Sequence, residues 1–264
     1  MLPRGQGAEP HAAAHIGASA TLRHLPRMGA YLRACLRICL SSCALALSPM
    51  PHAAAQTAVS ASVSALSDYR YRGISLSDGK AAVQLNVNFD HASGWYGGGF
   101  ATSSNVGDLN GAQLIAYGGY ARRLSSGASW EAGCTRTAFT QWHAYDYSEC
   151  YAGGSLERVS ARVYFAPRYL GHDSRTVYGE LNAFYPLQER INLIAHAGWL
   201  HTLSGQAYPG VPSDTRYDAR LGVSIQLGDW NAQLVRSSTQ SEPAYYPNYG
   251  HSPQAWILSA VYSF

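Results

Sequence analysis

The chain has 264 residues, of which 13% are charged and 12% are aromatic, including 19 Tyr. Soluble domains typically have about 25% charged residues, so this composition argues against a soluble enzyme. No apolar run after the N-terminal region is long enough for a membrane-spanning helix. Low charge together with abundant Tyr and 26 Gly favours a membrane β-barrel.

The first 55 residues look like an N-terminal extension followed by a cleavable secretory signal peptide. Arg33 and Arg37 form a basic segment, residues 38–47 are apolar, and three consecutive alanines then offer a cleavage site. The apolar stretch is too short to span a bilayer. We therefore divide the chain into a leader, residues 1–55, and an exported barrel, residues 56–264.

The formal net charge of +3 belongs to the leader. Residues 1–55 contain five of the 19 basic residues and one of the 16 acidic residues, which leaves 14 basic and 15 acidic residues and a net charge of −1. A domain with this balance has no basic surface for a polyanion, so we expect no nucleic-acid binding.

Alternating apolar and polar residues predict twelve strands in the exported region, because successive side chains of a strand point to opposite faces. Most are about nine to eleven residues long, which is enough to cross a membrane when tilted. In chain order the predicted strands cover residues 59–72, 83–90, 95–102, 112–122, 130–139, 145–156, 159–168, 176–185, 191–199, 217–227, 230–237 and 254–264.

The connections between these strands alternate in length. Every second connection is short, and the two longest, residues 200–216 and 238–253, both fall in the other set. Outer-membrane barrels have short periplasmic turns and longer extracellular loops. The order therefore predicts an all-β, up-and-down transmembrane barrel with both termini in the periplasm. A soluble β-sandwich would show the same alternation, but with its apolar face buried in a core.

The last strand places Trp256, Leu258, Ala260, Tyr262 and Phe264 on one face. A terminal aromatic residue at the membrane interface is typical of the closing strand of an outer-membrane barrel. The strand resembles the C-terminal signal that such barrels carry, formed here by Trp256, Leu258, Tyr262 and Phe264. This resemblance implies recognition by the barrel-assembly machinery and embedding in outer-membrane lipid.

Two cysteines, Cys134 and Cys150, remain once the leader is removed. They are equidistant from Trp142, the middle of a predicted hairpin loop, so antiparallel strands would place them opposite each other, with Cβ atoms about 4.5–5.5 Å apart. That distance is within range of some disulfides, and the periplasm permits them. We predict a disulfide, the alternative being two small apolar residues on the barrel wall.

Residues 66–75 read Leu-Ser-Asp-Tyr-Arg-Tyr-Arg-Gly-Ile-Ser and are followed by Asp-Gly-Lys at 78–80 and Ala-Val-Gln at 82–84. This segment resembles the opening signature of the TorF-like family of proteobacterial outer-membrane porins, as does Ser-Gly-Trp-Tyr-Gly-Gly at 93–98. The likeness is specific over residues 59–105, with Ala81 where the family often has proline. It implies a barrel in the outer membrane and a transport function.

Charged residues on the predicted polar faces are candidates for lining a pore. Five are basic and three are acidic, and this slight cationic excess predicts a weak preference for anions. Alternatively, the opposite charges pair across the lumen and plug it. The candidate pore-lining residues are Asp68, Arg70, Arg72, Arg162, Arg168, Glu180, Asp218 and Arg220.

We therefore predict a porin in the outer membrane of a Gram-negative bacterium, through which small hydrophilic solutes diffuse passively. We expect no chemical step and no cofactor, and no Cys-x-x-Cys or histidine cluster suggests a metal. Two alternatives come from other classes. One is a plugged barrel with a structural or surface-interaction role. The other is a lipid-modifying enzyme with His201 or His143 as its base.

Overall fold

The computed structural model describes residues 57–106, 109–205, 214–240 and 252–264. The predicted leader lies outside these ranges, so its boundary at residue 55 stays a prediction. Within them, no helix is both long and apolar enough to cross a bilayer. The strands are β1 (Thr57–Leu66), β2 (Arg70–Tyr71), β3 (Ile74–Ser75), β4 (Ala82–His91), β5 (Trp95–Val106), β6 (Leu109–Arg123), β7 (Ser129–Phe139), β8 (Tyr147–Leu156), β9 (Val159–Ala166), β10 (Arg175–Pro186), β11 (Ile191–Ser204), β12 (Thr215–Leu227), β13 (Trp230–Thr239) and β14 (Gln254–Ser263).

Twelve of these fourteen described strands form one closed antiparallel barrel. Each barrel strand pairs with its neighbours in chain order, and β1 closes the ring by pairing with β14, where Val63 lies opposite Tyr262. The other edge of β1 pairs with β4, and β2 and β3 form a separate two-stranded hairpin. The predicted fold class, an all-β up-and-down barrel of twelve strands, is confirmed.

The connections at one end of the barrel are turns of two to five residues, and those at the opposite end are longer except for residues 107–108. The strand β1 starts, and β14 ends, at the end that carries the short turns, which we call the turn end; the opposite end is the loop end. The two short 3-10 helices, His143–Tyr145 and Tyr169–Gly171, lie at the loop end. The turns are residues 92–94, 124–128, 157–158, 187–190 and 228–229.

The first strand is shorter than the sequence predicts. Alternation suggested a strand over residues 59–72, but β1 ends at Leu66, and residues 67–81 leave the wall as a compact hairpin built on β2 and β3. The prediction of the strand end was wrong because the hairpin is itself extended, so the alternation continues past the point where wall pairing stops.

Large apolar side chains cover the outer face of the barrel. They occupy alternate positions and are exposed, an arrangement that suits contact with lipid. Aromatic side chains flank this band at both ends, as in the interfacial girdles of membrane barrels. The exposed girdle residues are Trp95, Trp130, Tyr185, Trp230 and Phe264 at the turn end and Trp199, Tyr217 and Trp256 at the loop end.

The terminal strand β14 presents its predicted apolar face outward. Trp256, Leu258 and Phe264 are 61%, 61% and 68% exposed. The ring of Tyr262 packs between those of Trp230 and Phe264, with centroids 5.0 and 4.9 Å away. The residues of the proposed C-terminal signal therefore lie together on the outer surface, beside the strand that closes the ring.

Glycines on the inner face make room for large side chains from neighbouring strands. A Cβ atom added at Gly98 would collide with the hydroxyl oxygen of Tyr117 and with the carbonyl oxygen of Val87. Glycine at inner positions of β5 and β6 leaves the polar face of these strands without polar side chains at those positions. The same arrangement recurs at Gly119 beside Tyr96, Gly133 beside Tyr151, Gly153 beside Arg162 and Gly198 beside Tyr178.

Cys134 and Cys150 are direct partners across β7 and β8 and are joined by a disulfide. Both are exposed, and the buried neighbours Glu149 and Tyr151 point the other way, into the barrel. The disulfide therefore lies on the outer face of the wall.

We expect Gly98→Ala to destabilise the barrel by about 1–3 kcal/mol, because the added methyl group must displace Tyr117 or the backbone of β4. Gly99→Ala is the matched control, since its Cβ would meet only the carbonyl oxygen of Ile115 at 3.9 Å. The stability of both variants is measured as the midpoint of urea unfolding in lipid vesicles. Equal midpoints for the two variants would contradict this account of the inner face.

We expect protein expressed from residue 56 to show no free thiol until it is reduced, because Cys134 and Cys150 are bonded. Alkylation followed by mass measurement, with and without reductant, tests this. Cys134→Ser with Cys150→Ser should lower the free energy of unfolding by up to about 3 kcal/mol, since the disulfide closes a short loop in the unfolded chain. Alkylation of unreduced, folded protein would refute the bond.

Candidate functional site

Residues 67–81, which we call the inserted hairpin, cross the barrel lumen at the loop end. The hairpin leaves the wall between β1 and β4, yet its turn reaches β8, β9 and β10, which lie on the far side of the ring. Tyr69, Tyr71 and Arg72 are all buried. A segment that touches both sides of the ring occupies the interior, so the inserted hairpin is the central feature of the site.

The turn of the hairpin is a two-residue turn with left-handed backbone at both positions. Arg72 has φ of +48° and Gly73 has φ of +82°. Two consecutive positive φ values match the twist of a tight hairpin, and glycine adopts them readily. Gly73 also needs its lack of side chain for space, because an added Cβ would lie 2.8 Å from the Cβ atoms of Asp218 and Thr239 on the wall.

Asp68 holds the base of the hairpin together. Its carboxylate accepts hydrogen bonds from Arg70 Nε at 2.7 Å, Ser75 Oγ at 2.6 Å and Ser77 Oγ at 3.1 Å. A buried carboxylate with three donors has its charge and its lone pairs satisfied. Asp68 and Arg70 therefore stabilise the hairpin internally and contribute little charge to the lumen.

Hydrogen bonds fix the hairpin to several parts of the wall. Tyr69 Oη donates to Gln113 Oε1 on β6 at 2.7 Å, and the backbone amide of Asn105 on β5 donates to the carbonyl of Leu76 at 2.7 Å. The hydroxyls of Tyr71 and Tyr147 on β8 lie 2.7 Å apart. Attachment at well-separated strands gives the hairpin a defined position.

The strongest attachment joins Arg72 to Glu149. The Arg72 Nη atoms donate to both Glu149 oxygens at 2.9 and 2.7 Å, and the Arg72 side chain is only 1% exposed. The guanidinium carbon also lies within 5.4 Å of the ring centroids of four tyrosines. Aromatic rings can pack against the flat faces of a guanidinium while a carboxylate accepts hydrogen bonds from its edge.

Burial and neighbouring charges shift the pKa values of Arg72 and Tyr71. Burial alone would lower the pKa of the Arg72 guanidinium, but Glu149 raises it, and the pKa lies well above its ordinary value. Burial also raises the pKa of the Tyr71 hydroxyl well above its usual range. Arg72 therefore stays charged and Tyr71 stays protonated at any physiological pH.

A second charged cluster lies below the hairpin, towards the turn end. Arg162 Nε donates to Glu131 Oε1 at 2.5 Å, and Arg162 Nη1 lies 3.8 Å from Glu180 Oε1. Tyr96 Oη donates to Glu131 Oε2 at 3.0 Å. One arginine is shared by two carboxylates, so the cluster has a formal charge of −1.

A third cluster surrounds His196. The His196 ring places Nδ1 2.7 Å from Asn182 Oδ1 and Nε2 3.0 Å from Asp218 Oδ1. Tyr178 Oη donates to Asp218 Oδ2 at 3.3 Å. Because Tyr178 also contacts Arg72 and Asp218 contacts Gly73, this cluster connects the wall to the hairpin.

The predicted pore-lining residues fall into three groups. Asp68, Arg70 and Arg72 lie in the inserted hairpin, which corrects their placement on the polar face of the first strand. Arg168 is exposed in the connection after β9, where its Nη2 donates to the carbonyl of Gly171 at 3.5 Å, so it does not line the lumen. The remaining members, Arg162, Glu180, Asp218 and Arg220, occupy inward positions of the wall.

Three charged or titratable partners were not predicted from the sequence: Glu131, Glu149 and His196. Glu131 and Glu149 form ion pairs with predicted residues, and His196 Nε2 lies 3.0 Å from Oδ1 of the predicted Asp218. A signal was available for Glu149, because an outward Cys150 in a strand requires its neighbour to point inward. Glu131 and His196 occupy inward positions of β7 and β11, but alternation alone does not say which inward side chains meet across the lumen.

The two histidines considered for lipid chemistry lie outside the lumen. His201 stacks on Trp199, and its Nδ1 lies 2.8 Å from Thr215 Oγ1. His143 is exposed, 3.5 Å from Asp146 Oδ2. In the part of the chain that the structure describes, neither is hydrogen-bonded to a serine, and no group of three or more metal-ligating side chains is present.

Solved structures include barrels of similar architecture. A NanC porin in a rhombohedral crystal form aligns with a TM-score of 0.55 at 9% identity, over 78% of this chain and 98% of the other. A KdgM porin aligns with a TM-score of 0.49 at 12% identity, over 78% of this chain and 99% of the other. At this level of identity, the likeness to NanC shows a shared barrel fold.

Comparisons of sequence identify the family. A search of curated proteins found no match. The resemblance to TorF-like porins in residues 59–105 stays a prediction. A family model described as a bacterial protein of unknown function (Gcw_chp) matches residues 51–252, so the chain belongs to that family.

Proposed function

We propose that this protein is an outer-membrane porin through whose narrow lumen small hydrophilic solutes diffuse passively. The observation that carries the proposal is the difference between the outer and inner surfaces of the closed barrel. Exposed aliphatic residues cover its outside, and charged and polar residues cover its inside. Such a wall is stable in lipid and can hold water within. No step in this function needs a cofactor or a catalytic residue.

The proposed orientation places the turn end in the periplasm and the loop end outside the cell, as is usual for such barrels. Export would use the leader of residues 1–55, and the barrel-assembly machinery would bind β14. The outward row of Trp256, Leu258, Tyr262 and Phe264 supports binding by the assembly machinery, because it gives β14 an apolar outer face next to the seam with β1.

The inserted hairpin sets the narrowest point of the passage. At the loop end, inward side chains such as Gln113, Thr137 and Thr176 are fully buried around it. Towards the turn end, the inward residues Asn86 and Asn88 on β4 are partly buried, whereas Asn192, Ser224 and Asn231 are buried. The partly buried asparagines support a lumen that is wetted from the periplasmic side along β4 and constricted by the hairpin on the extracellular side.

The lumen charge does not favour anions. Apart from Arg123, which is exposed at the turn end of β6, the described inward-facing residues include five arginines and six carboxylates, a formal net charge of −1 when histidine is counted as neutral. We therefore propose a weak preference for cations, in place of the anion preference inferred from the sequence. The arginines are Arg70, Arg72, Arg162, Arg216 and Arg220, and the carboxylates are Asp68, Asp90, Glu131, Glu149, Glu180 and Asp218.

A plugged barrel with a structural or surface-interaction role is the second candidate function. The near-complete burial of Arg72 favours it, because a hairpin held by an ion pair and by the rings of Tyr164, Tyr169 and Tyr178 blocks much of the loop end. The two candidates differ in conductance and in the response of conductance to removal of the hairpin.

We expect the refolded protein to produce small, discrete conductance steps in a planar bilayer. Replacing residues 68–77 with a Gly-Ser linker should raise the step size several-fold, because the hairpin then no longer narrows the lumen. A heat-modifiable band on gel electrophoresis confirms folding of both proteins. If neither conducts although both are folded, the porin proposal fails. If only the linker variant conducts, the plugged barrel is the better description of the native protein.

We expect Arg162→Gln to strengthen cation preference, because Glu131 and Glu180 then lose the charge that they share. Arg168→Gln is the matched control, since Arg168 is exposed outside the lumen and its loss should leave selectivity unchanged. The ion selectivity of both variants is measured as the reversal potential in a potassium chloride gradient. Equal shifts for the two variants, or a native preference for anions, would contradict the lumen assignment.

A further inference from the structure

Four tyrosines surround the guanidinium of Arg72 and form what we call the tyrosine cage. The Arg72 Cζ atom lies 4.2 Å from the ring centroid of Tyr178, 5.1 Å from Tyr71, and 5.4 Å from each of Tyr164 and Tyr169. Glu149 completes the site through two charge-assisted hydrogen bonds. We propose that the tyrosine cage and Glu149 form a binding site for guanidinium-bearing solutes, which Arg72 occupies in this structure as an internal ligand.

The chemistry of the site selects a planar cation. The negative faces of aromatic rings attract cations, and a carboxylate matches the two parallel N–H groups of a guanidinium. Anions would meet Glu149 and the ring faces unfavourably. A primary ammonium group carries the charge but lacks the planar fork, so it should bind more weakly than guanidinium.

Most of the site belongs to the barrel wall rather than to the hairpin. Glu149 lies on β8, and Tyr164 and Tyr178 are register partners on β9 and β10. The ring of Tyr169 packs edge-on against Tyr147, with centroids 5.2 Å apart. The ring contacts do not involve Arg72, whereas both Glu149 oxygens accept hydrogen bonds from it. The wall rings of the cage should therefore persist when the Arg72 side chain is removed, and Glu149 loses two hydrogen bonds that a free guanidinium would restore.

Arg72 reaches the site from a connecting segment, whereas the buried arginines Arg162 and Arg216 project from wall strands. Arg162 also lies near a tyrosine, 5.7 Å from the Tyr151 ring centroid, but Arg162 itself projects from β9. Arg72 occupies the two-residue turn at the tip of the inserted hairpin. A tethered side chain at such a position can be exchanged for a free solute by displacing the hairpin, without opening the barrel.

Binding of a guanidinium solute would weaken the attachment of the hairpin to the far side of the ring. The contacts of Tyr69 with Gln113 and of Leu76 with Asn105 would remain, close to where the hairpin starts. The solute would therefore widen the passage that the hairpin constricts. This consequence rests on the proposed porin function, whereas the binding site itself does not.

The test uses methylguanidinium chloride as the probe and the refolded barrel in detergent, with sodium chloride holding ionic strength constant. Isothermal titration calorimetry of Arg72→Ala should detect saturable binding. Adding Glu149→Gln should weaken the affinity by about tenfold or more, because a bidentate charged partner is lost. Arg70→Ala, which alters the same hairpin outside the cage, should bind no better than the native protein. Equal affinities with and without Glu149, or no binding to folded Arg72→Ala, overturns the proposal.

If Arg72→Ala does not refold, the same site is tested by rescue. Methylguanidinium present during refolding should raise the yield of heat-modifiable Arg72→Ala but not of the variant that also carries Glu149→Gln. An equal effect on both variants overturns the proposal. Bilayer conductance separates the two proposals, since binding without any conductance retains the site and removes the porin function.

Discussion

A sheet that crosses a bilayer must pair every backbone hydrogen-bonding group, because lipid offers no alternative partner. In this chain the pairing of β1 with β14 meets that requirement, and the terminal amide of Phe264 donates to the carbonyl of Ala61 at 2.9 Å. Closure also assigns each alternate side chain to lipid or to the lumen. The apolar outer band, the girdles, the outward disulfide and the inward charges all follow from that single assignment.

Closure creates an interior, and in this barrel directional polar contacts act within a buried cluster that is rich in aromatic side chains. Burying an ion pair carries a desolvation cost that is offset only when geometry is good and other hydrogen bonds are made. Arg72 meets that condition through the bidentate contact with Glu149 and the surrounding rings. Because such contacts are directional, they fix where the hairpin lies, which apolar packing alone would specify less sharply.

The local alternation of apolar and polar residues predicted most of the fold, including the number of strands, their order and the outward face of Trp256 and Phe264. It failed at Leu66, where an extended segment leaves the wall without changing its pattern. It also could not pair Arg72 with Glu149, which are 77 residues apart and meet only because the hairpin crosses the ring. Which charges meet across a lumen depends on strand stagger and on loops, and neither is a local property.

The arginines that suggested an anion filter are the same side chains that hold the interior together. Arg70 bonds to Asp68 within the hairpin, Arg72 is enclosed by its cage, and Arg162 is shared between two carboxylates. A guanidinium whose donors are used and whose charge is matched attracts a passing anion only weakly. In the proposed porin, the field that a solute meets towards the turn end would therefore be set by Glu131 and Glu180, which share Arg162. In the proposed porin, selectivity would be a by-product of how these charges are paired, and the inserted hairpin, fixed through Arg72, would set the width of the passage.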